Sequence, residues 1–323
     1  MKTFILRRLL ASIPLLLAVT FLASMLMVLS PGNFLDDLRS NPTISREYLA
    51  RMEEVYHLNS NNIFERYWYW LSPALRGDLG YSYVYRAPVA SLIGERIFNT
   101  LLLTGSALVF SWTIAIPFGV LAAVYRNKWL DKLSGFISYF GLSIPSVFFS
   151  LLAILFAAKT GLFPVGGIHD QANWDNFTAF GKVVDTLWHL ILPTIVLGTI
   201  GMAQYMRQMR SEMVETLSQD FIRTARAKGL SERRVIFRHA LGNALNPIVT
   251  LFGFSLAYLL AGALLTEYVF SWPGLGTLIY DSLLKKDEPM VMAAVAMLAL
   301  MLVIGNLFAD VLLARLDPRV RLE

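Results

Sequence analysis

Apolar positions in this chain come in long unbroken runs. Six stretches carry no Asp, Glu, Lys or Arg: 9–35, 97–125, 133–158, 186–206, 247–266 and 290–309. A bilayer core accepts about 20 apolar residues as one helix, and every stretch reaches that length. Charged, turn-rich segments separate them. The apolar–polar alternation of a membrane strand is absent, so helices are left to satisfy the backbone inside the bilayer. The pattern predicts an all-α integral membrane protein with six transmembrane helices. Its expected parts are an N-terminal helix over 1–35, an external loop with short helices over 36–96, and a five-helix core over 97–323.

The first run is charge-free for 27 residues, well beyond the roughly 7–15 of a signal peptide core, and is read as a retained helix. In the loop that follows, Ser45 opens a helix whose Leu49, Met52 and Tyr56 share one face. The aromatic segment from Phe64 to Trp70 suits a membrane interface, and Gly77-Asp78-Leu79-Gly80 turns the chain back. Pro117, Gly119, Gly141, Pro145, Pro193, Gly198 and Gly201 interrupt the runs, with close packing as their default role.

Composition supports the same class: 56% of residues are hydrophobic, 16% charged, and the mean hydropathy is +0.54, against about 25% charge in an ordinary soluble domain. With both termini cytoplasmic, 17 of the 28 Lys and Arg fall on the inner side, as the positive-inside bias requires. There are no cysteines, which excludes disulfides and thiolate chemistry. The runs hold one histidine, His189, and no carboxylate, which disfavours an ion-coupled carrier. A phosphate loop and an H-E-x-x-H pair are both missing, so neither ATP binding by this chain nor zinc hydrolysis is expected. His57, His169 and His239 are scattered.

The remaining unusual feature is the polar interval 219–247, with six basic residues between Arg223 and Arg238. A short helix is predicted over 219–228, capped by Ser218 or Asp220 and ended by Gly229. Phe221, Ile222 and Ala225 form its apolar stripe, and Ser231 caps a second helix leading to Pro247. Arg207 and Arg210 share a face on the extension of the fourth membrane helix. The interval reads equally as a docking element or as a basic loop that obeys membrane topology.

Here the chain resembles a known family. Arg223-Thr224-Ala225-Arg226-Ala227-Lys228-Gly229 is similar to the EAA loop of ABC importer permeases, in which a glutamate and two alanines precede a glycine. Arg223 stands at the glutamate, Thr224 at the first alanine and Ala225 at the second. The wider text, through His239-Ala240, Asn243-Ala244-Leu245 and Pro247, resembles the dipeptide/oligopeptide/nickel permeases, the DppB/OppB-like branch. Ser30-Pro31-Gly32, Gly77 to Gly80, Glu267 to Gly276 and Asp317-Pro318-Arg319 agree with that branch. Asn33-Phe34 departs from it where Asp-Pro is usual, as does the stretch 35–58.

The resemblance implies a type I ABC importer permease with a coupling loop over 207–246. Arg223, Thr224, Ala225, Arg226, Ala227, Lys228 and Gly229 would then meet an ATP-binding subunit. Pro273-Gly274 by itself reads as a turn, commonly type II, at the outer interface; the resemblance instead makes Glu267, Trp272, Pro273 and Gly274 a candidate outer gate or binding-protein contact. Expected partners are a second homologous permease, two ATP-binding subunits carrying ATP and Mg, an extracytoplasmic solute-binding protein and membrane lipid. The chain itself would hold no cofactor or metal, bind no nucleic acid and catalyse no reaction, in a bacterial or archaeal plasma membrane. Peptides rank first as solute, oligosaccharides second and nickel third. The rival class is a stand-alone channel or ion-coupled carrier.

Overall fold

Hydropathy locates these helices but not their ends. The computed structural model describes residues 2–39, 44–55 and 62–316. The first run lies in α1 (Lys2–Leu29), and α2 (Asp36–Arg39), α3 (Arg46–Val55) and α4 (Ile63–Ala74) follow. The second run lies in α5 (Val89–Val124), the third in α6 (Trp129–Ser143) and α7 (Ser146–Thr160), and the fourth in α8 (Ala179–Leu217). After α9 (Asp220–Ala227) and α10 (Glu232–Arg234) come α11 (Leu241–Thr250), α12 (Phe252–Val269), α13 (Leu275–Leu284) and α14 (Glu288–Leu316). Among the described residues the only strand-like pairing is an antiparallel bridge between Tyr81 and Pro88.

Helices α1, α5, α8 and α14 are each long and apolar enough to cross a membrane. α6 and α7 meet that test together but bend by 101°. The cause is local: Pro145 disfavours helical backbone in the residue before it, and Ile144 is extended at φ −85°, ψ 122°. The run 247–266 is carried by α11 and α12, which meet at Leu251. The first run outlasts its helix, because the chain leaves α1 at Leu29 and turns through Gly32 at φ +80°.

The chain forms two compact units, one of residues 100–272 and from 304 onward, the other of 2–99 and 273–303. In the first, α8 is the spine. Met202, Met206, Met209 and Met213 recur every three or four residues and are buried against Ala115, Val120 and Ala123 of α5. That spacing is one helix face, and methionine fills irregular gaps well. Two glycines set the crossing distance. A Cβ on Gly119 would lie 2.6 Å from Met209 Cβ, and one on Gly198 would lie 2.8 Å from the Ala107 carbonyl oxygen. Packing, the default reading of these glycines, is their role.

In the second unit α4 lies along α1. The Phe21 ring meets Tyr67 edge-on with centroids 5.3 Å apart, and the Tyr67 hydroxyl is 2.9 Å from Thr20 Oγ1. Leu35 and Leu49 are buried together with Met52 beside them, so the expected face of α3 exists. Its third member, Tyr56, lies outside the described residues, as do His57 and the Asp317-Pro318-Arg319 tail. Ser45 Oγ accepts the Tyr48 amide at the start of α3, at 3.2 Å. The turn at Gly77 to Gly80 is present: Asp78 Oδ1 accepts the Gly80 amide at 2.9 Å, with both glycines at positive φ.

Candidate functional site

The short helix of the basic interval is α9. Its first residue follows an extended Gln219, and no side chain caps it. Ser218 instead closes α8 by donating to the Glu215 carbonyl at 2.7 Å, while Asp220 sits inside α9 and accepts from Arg223 at 3.1 Å. Neither expected cap is therefore one. Ile222 and Ala225 are 0% and 6% exposed and pack in the same cluster as Met213, Val235 and Ile236. Phe221, expected with them, is 44% exposed, so the buried stripe of α9 is narrower than predicted.

The other face of α9 is free. Arg223, Thr224, Arg226, Ala227, Lys228 and Gly229 are all exposed. Ala225 is the exception among the seven predicted contact residues: it faces the core, since a residue three after Ile222 shares its side. Gly229 has φ +75°. Its amide donates to Arg226 O at 2.9 Å and the Leu230 amide to Ala225 O at 3.4 Å, so the left-handed residue lets both amides fold back over the helix end.

Arg226 reaches forward to Glu232, with Nη2 donating to Oε1 at 2.5 Å and Nε to Oε2 at 3.1 Å. This hydrogen-bonded guanidinium holds the Glu232 carboxyl below its ordinary range. Ser231 precedes α10 but caps it through its carbonyl, which accepts the Val235 amide at 3.0 Å. Residues Val235–Ala240 then wind as a π-helix. That wider turn keeps Val235, Ile236 and Ala240 buried and leaves Arg233, Arg234, Phe237 and Arg238 along a shallow open cleft. His239 is a partly exposed helix residue, as expected. Arg207 and Arg210 diverge: Arg207 is exposed, while Arg210 is tied to Asp131.

The second candidate group is mostly interior. Glu267 lies in the last turn of α12 at 0% exposure, and its Oε1 accepts the Thr100 hydroxyl at 2.6 Å. Trp272 is fully buried with Leu103, Leu259 and Ala263, and its amide donates to Glu267 O at 2.8 Å. The expected type II turn at Pro273-Gly274 is not the one built. Gly274 is extended at φ −110°, and the left-handed residue is Ser271 at φ +52°. Gly274 is buried and Pro273 partly so; the Pro273 carbonyl accepts Asn99 Nδ2 at 2.8 Å.

Two organising carboxylates lie outside the predicted set. Asp131 binds Arg210 of α8 and the Asn127 amide. Asp287, fully buried, collects Ser82 Oγ and the amides of Tyr83 and Val84. Both stand within three residues of the start of a charge-free run, the one signal that marks them.

Residues 115–322 match the model of the binding-protein-dependent transport system inner membrane component family. The chain is 40% identical to the oligopeptide transport system permease protein AppB of Bacillus subtilis (strain 168), over 99% of both chains. It is 38% identical to the dipeptide transport system permease protein DppB of Escherichia coli (strain K12), again over 99% of each. In fold it is similar to a chain of the MetNI methionine ABC transporter in inward-facing conformations, with a TM-score of 0.56 at 20% identity, covering 71% of this chain and 97% of that one. The chain thus belongs to the binding-protein-dependent transport system inner membrane components, and is a multi-pass permease subunit of an ABC importer.

Proposed function

We propose that α9 is the coupling helix of this permease and that it docks on an ATP-binding partner subunit. The observation that carries this is the division of α9 into two faces. Ile222 and Ala225 are sunk among Met213, Val235 and Ile236, while Arg223, Thr224, Arg226, Ala227 and Lys228 are presented outward. A push on the outward face is passed through close-packed side chains to α8, because packed interiors transmit strain. Arg223 in place of the family's glutamate makes this face more basic, so its groove on the partner is expected to be acidic.

The assembly is a second homologous permease, two ATP-binding subunits that hold ATP and Mg, and an extracytoplasmic binding protein. Both termini and α9 lie on the cytoplasmic side, in keeping with the lysine and arginine distribution. The solute is a short peptide, as the printed names of the two sequence relatives suggest. Glu267, Trp272, Pro273 and Gly274 act as an outer gate from within the fold, since Glu267 and Trp272 are too buried to meet a binding protein directly.

The test is a cysteine at Thr224 in the assembled importer, with a thiol-specific crosslinker. Linkage to the ATP-binding subunit is expected, and linkage only to lipid would reject the docking role. Copurified binding protein, analysed by mass spectrometry for its ligand, decides the solute.

A further inference from the structure

Within the second unit two cavities lie side by side and share Tyr81 and Tyr83 as a common wall. The larger is about 480 Å³, within the usual range of small-molecule sites, about 300–1,000 Å³. Phe34, Tyr48, Tyr81 and Tyr83 supply aromatic surface, and Leu38, Met52 and Val84 complete the apolar lining. Two cations stand at this cavity, Arg86 and Lys285. Both are exposed, and neither pairs with a carboxylate among the described residues; the Lys285 ammonium instead lies 5.7 Å from the Tyr85 ring centroid. The smaller cavity, about 260 Å³, carries Asp78, Glu288, Arg66 and Trp70. Arg66 and Glu288 are ion-paired there, which leaves Asp78 as the unbalanced charge. Trp70 Nε1 is buried without an acceptor among the described residues.

The walls are held in place before any ligand arrives. The loop between Tyr81 and Pro88 is closed by Ser82 N donating to Ala87 O at 3.0 Å and Arg86 N to Ser82 O at 3.1 Å. Phe34 and Tyr83 touch with ring centroids 4.6 Å apart. The first wall is set by Asn33, whose Oδ1 accepts the Leu35 amide at 3.0 Å and whose own amide donates to Asp36 Oδ2 at 2.9 Å. An aromatic cavity with two exposed cations at its edge suits an apolar group next to a carboxylate. The neighbouring acidic cavity with a spare N–H donor suits an ammonium group and a peptide carbonyl.

We propose that this pair of cavities is an auxiliary site for a short peptide with free ends. The carboxyl end and its apolar side chain sit by Arg86 and Lys285, and the amino end crosses the Tyr81–Tyr83 wall toward Asp78. The proposal rests on the peptide reading above and places the site on the extracytoplasmic side of that orientation.

The probe is the tripeptide Ala-Ala-p-benzoylphenylalanine, as free acid and as C-terminal amide. It is irradiated with the assembled importer in lipid nanodiscs without the binding protein, and the crosslinks are mapped by mass spectrometry. The free acid should label residues around Tyr48 or Tyr81. Charge-assisted hydrogen bonds are worth enough that the amide, or the Arg86→Ala/Lys285→Ala double variant, should reduce labelling roughly tenfold. Both cations are exposed, so their removal does not threaten folding. Equal labelling by acid and amide, or no loss in the double variant, overturns the proposal. So does a photo-reactive residue placed at Tyr48 that captures the binding protein in the absence of peptide. Competition by 3-phenylpropionate separates the two readings. If it displaces the probe while the importer takes up no peptide, the carboxylate site stands and the peptide reading falls. If uptake of peptides is normal and the free acid labels nothing, the site falls and the peptide reading stands.

Discussion

Arg210 on α8 grips Asp131 at the start of α6 with two N–H groups, Nη2 lying 2.8 Å from Oδ2 while Nε meets Oδ1. The same Oδ2 accepts the Asn127 amide at 2.8 Å, so one carboxylate closes the turn before α6 and ties that helix to the extension of α8. Arg210→Ala leaves a nearly buried carboxylate without its cation. A loss of about 2 kcal/mol is expected, below the range for fully buried pairs because the guanidinium is partly solvated. Asp131→Asn should cost less, about 1 kcal/mol, since an amide oxygen still accepts the Asn127 N–H. Thermal unfolding of the purified complex ranks the two, and the reverse order would show that the turn matters more than the bridge.

Gly229 is constrained by its backbone and not by its surroundings. A Cβ there meets nothing within 4 Å, yet φ is +75°. Any L side chain pays for the left-handed conformation, about 1–2 kcal/mol, and a β-branched one more. Gly229→Val should therefore reshape the exit from α9 while the protein still inserts. The expected readout is ATP hydrolysis that continues with less uptake per ATP. Gly229→Asn should keep most coupling, because asparagine tolerates this region. Equal, wild-type coupling in both variants would argue against a mechanical role for the α9 exit.

Ala225 and Thr224 should behave oppositely although they are neighbours. Ala225 is buried against the core cluster, so Ala225→Leu overpacks it, at about 1–3 kcal/mol. Thr224 is exposed, its hydroxyl donating to Asp220 O at 3.0 Å. Thr224→Cys should fold normally and react quickly with a water-soluble maleimide in the isolated permease, whereas Ala225→Cys should react slowly. Equal labelling rates would mean that α9 is rotated from the position described.

The Arg226–Glu232 bridge has a predictable pH limb. Its guanidinium lowers the Glu232 carboxyl in the folded loop. A lowered folded value means that the bridge contributes fully above the unfolded carboxyl value, about 4.3, and loses its contribution as pH falls through the folded one. Both partners are substantially exposed, so the effect is small. Hydrogen exchange at residues 226–232, corrected for intrinsic rates, should rise below about pH 4 and become flat with pH in Glu232→Gln. A limb of the same size in that variant would assign it to another group.

What was readable from the chain depended on how local its cause is. The positions of α1, α5, α8 and α14 follow from run length alone, and α9 and Gly229 from local helix grammar. The proline before Ser146 announces a break, but the 101° bend is a property of packed helices. The inward turn of Ala225 was legible, since Ala225 itself stood with Ile222 on the predicted apolar stripe, a placement at odds with counting it among the contact residues. The identity of its partners, Met213 and Val235, was not. Arg210 and Asp131 are 79 residues apart, and no spacing rule connects them. The π-helix at Val235–Ala240 has no composition of its own, and the burial of Glu267 beside Thr100 depends on how α5 and α12 meet.

Asp287 carries the last prediction, because one carboxylate organises the loop that walls both cavities. Ser82 Oγ donates to Oδ2, and the amides of Tyr83 and Val84 donate to Oδ1 and Oδ2 at 3.3 and 3.2 Å. Ser82 Oγ in turn accepts the Tyr85 amide at 3.0 Å. Asp287→Asn keeps the shape but replaces one acceptor oxygen with an NH2 that must face donors. A loss of about 2 kcal/mol from the loop is expected, typical of a hydrogen bond to a charged group removed from a buried site. Ser82→Ala should cost less, since the carboxylate keeps both amides. Hydrogen exchange at Tyr83 and Val84 measures the loop directly: protection should fall in Asp287→Asn and largely survive in Ser82→Ala. With Tyr81 and Tyr83 released, labelling by the free-acid probe should fall as well, even though Arg86 and Lys285 are untouched. Unchanged protection at both amides in Asp287→Asn would mean that the bridge between Tyr81 and Pro88 holds the loop without the carboxylate.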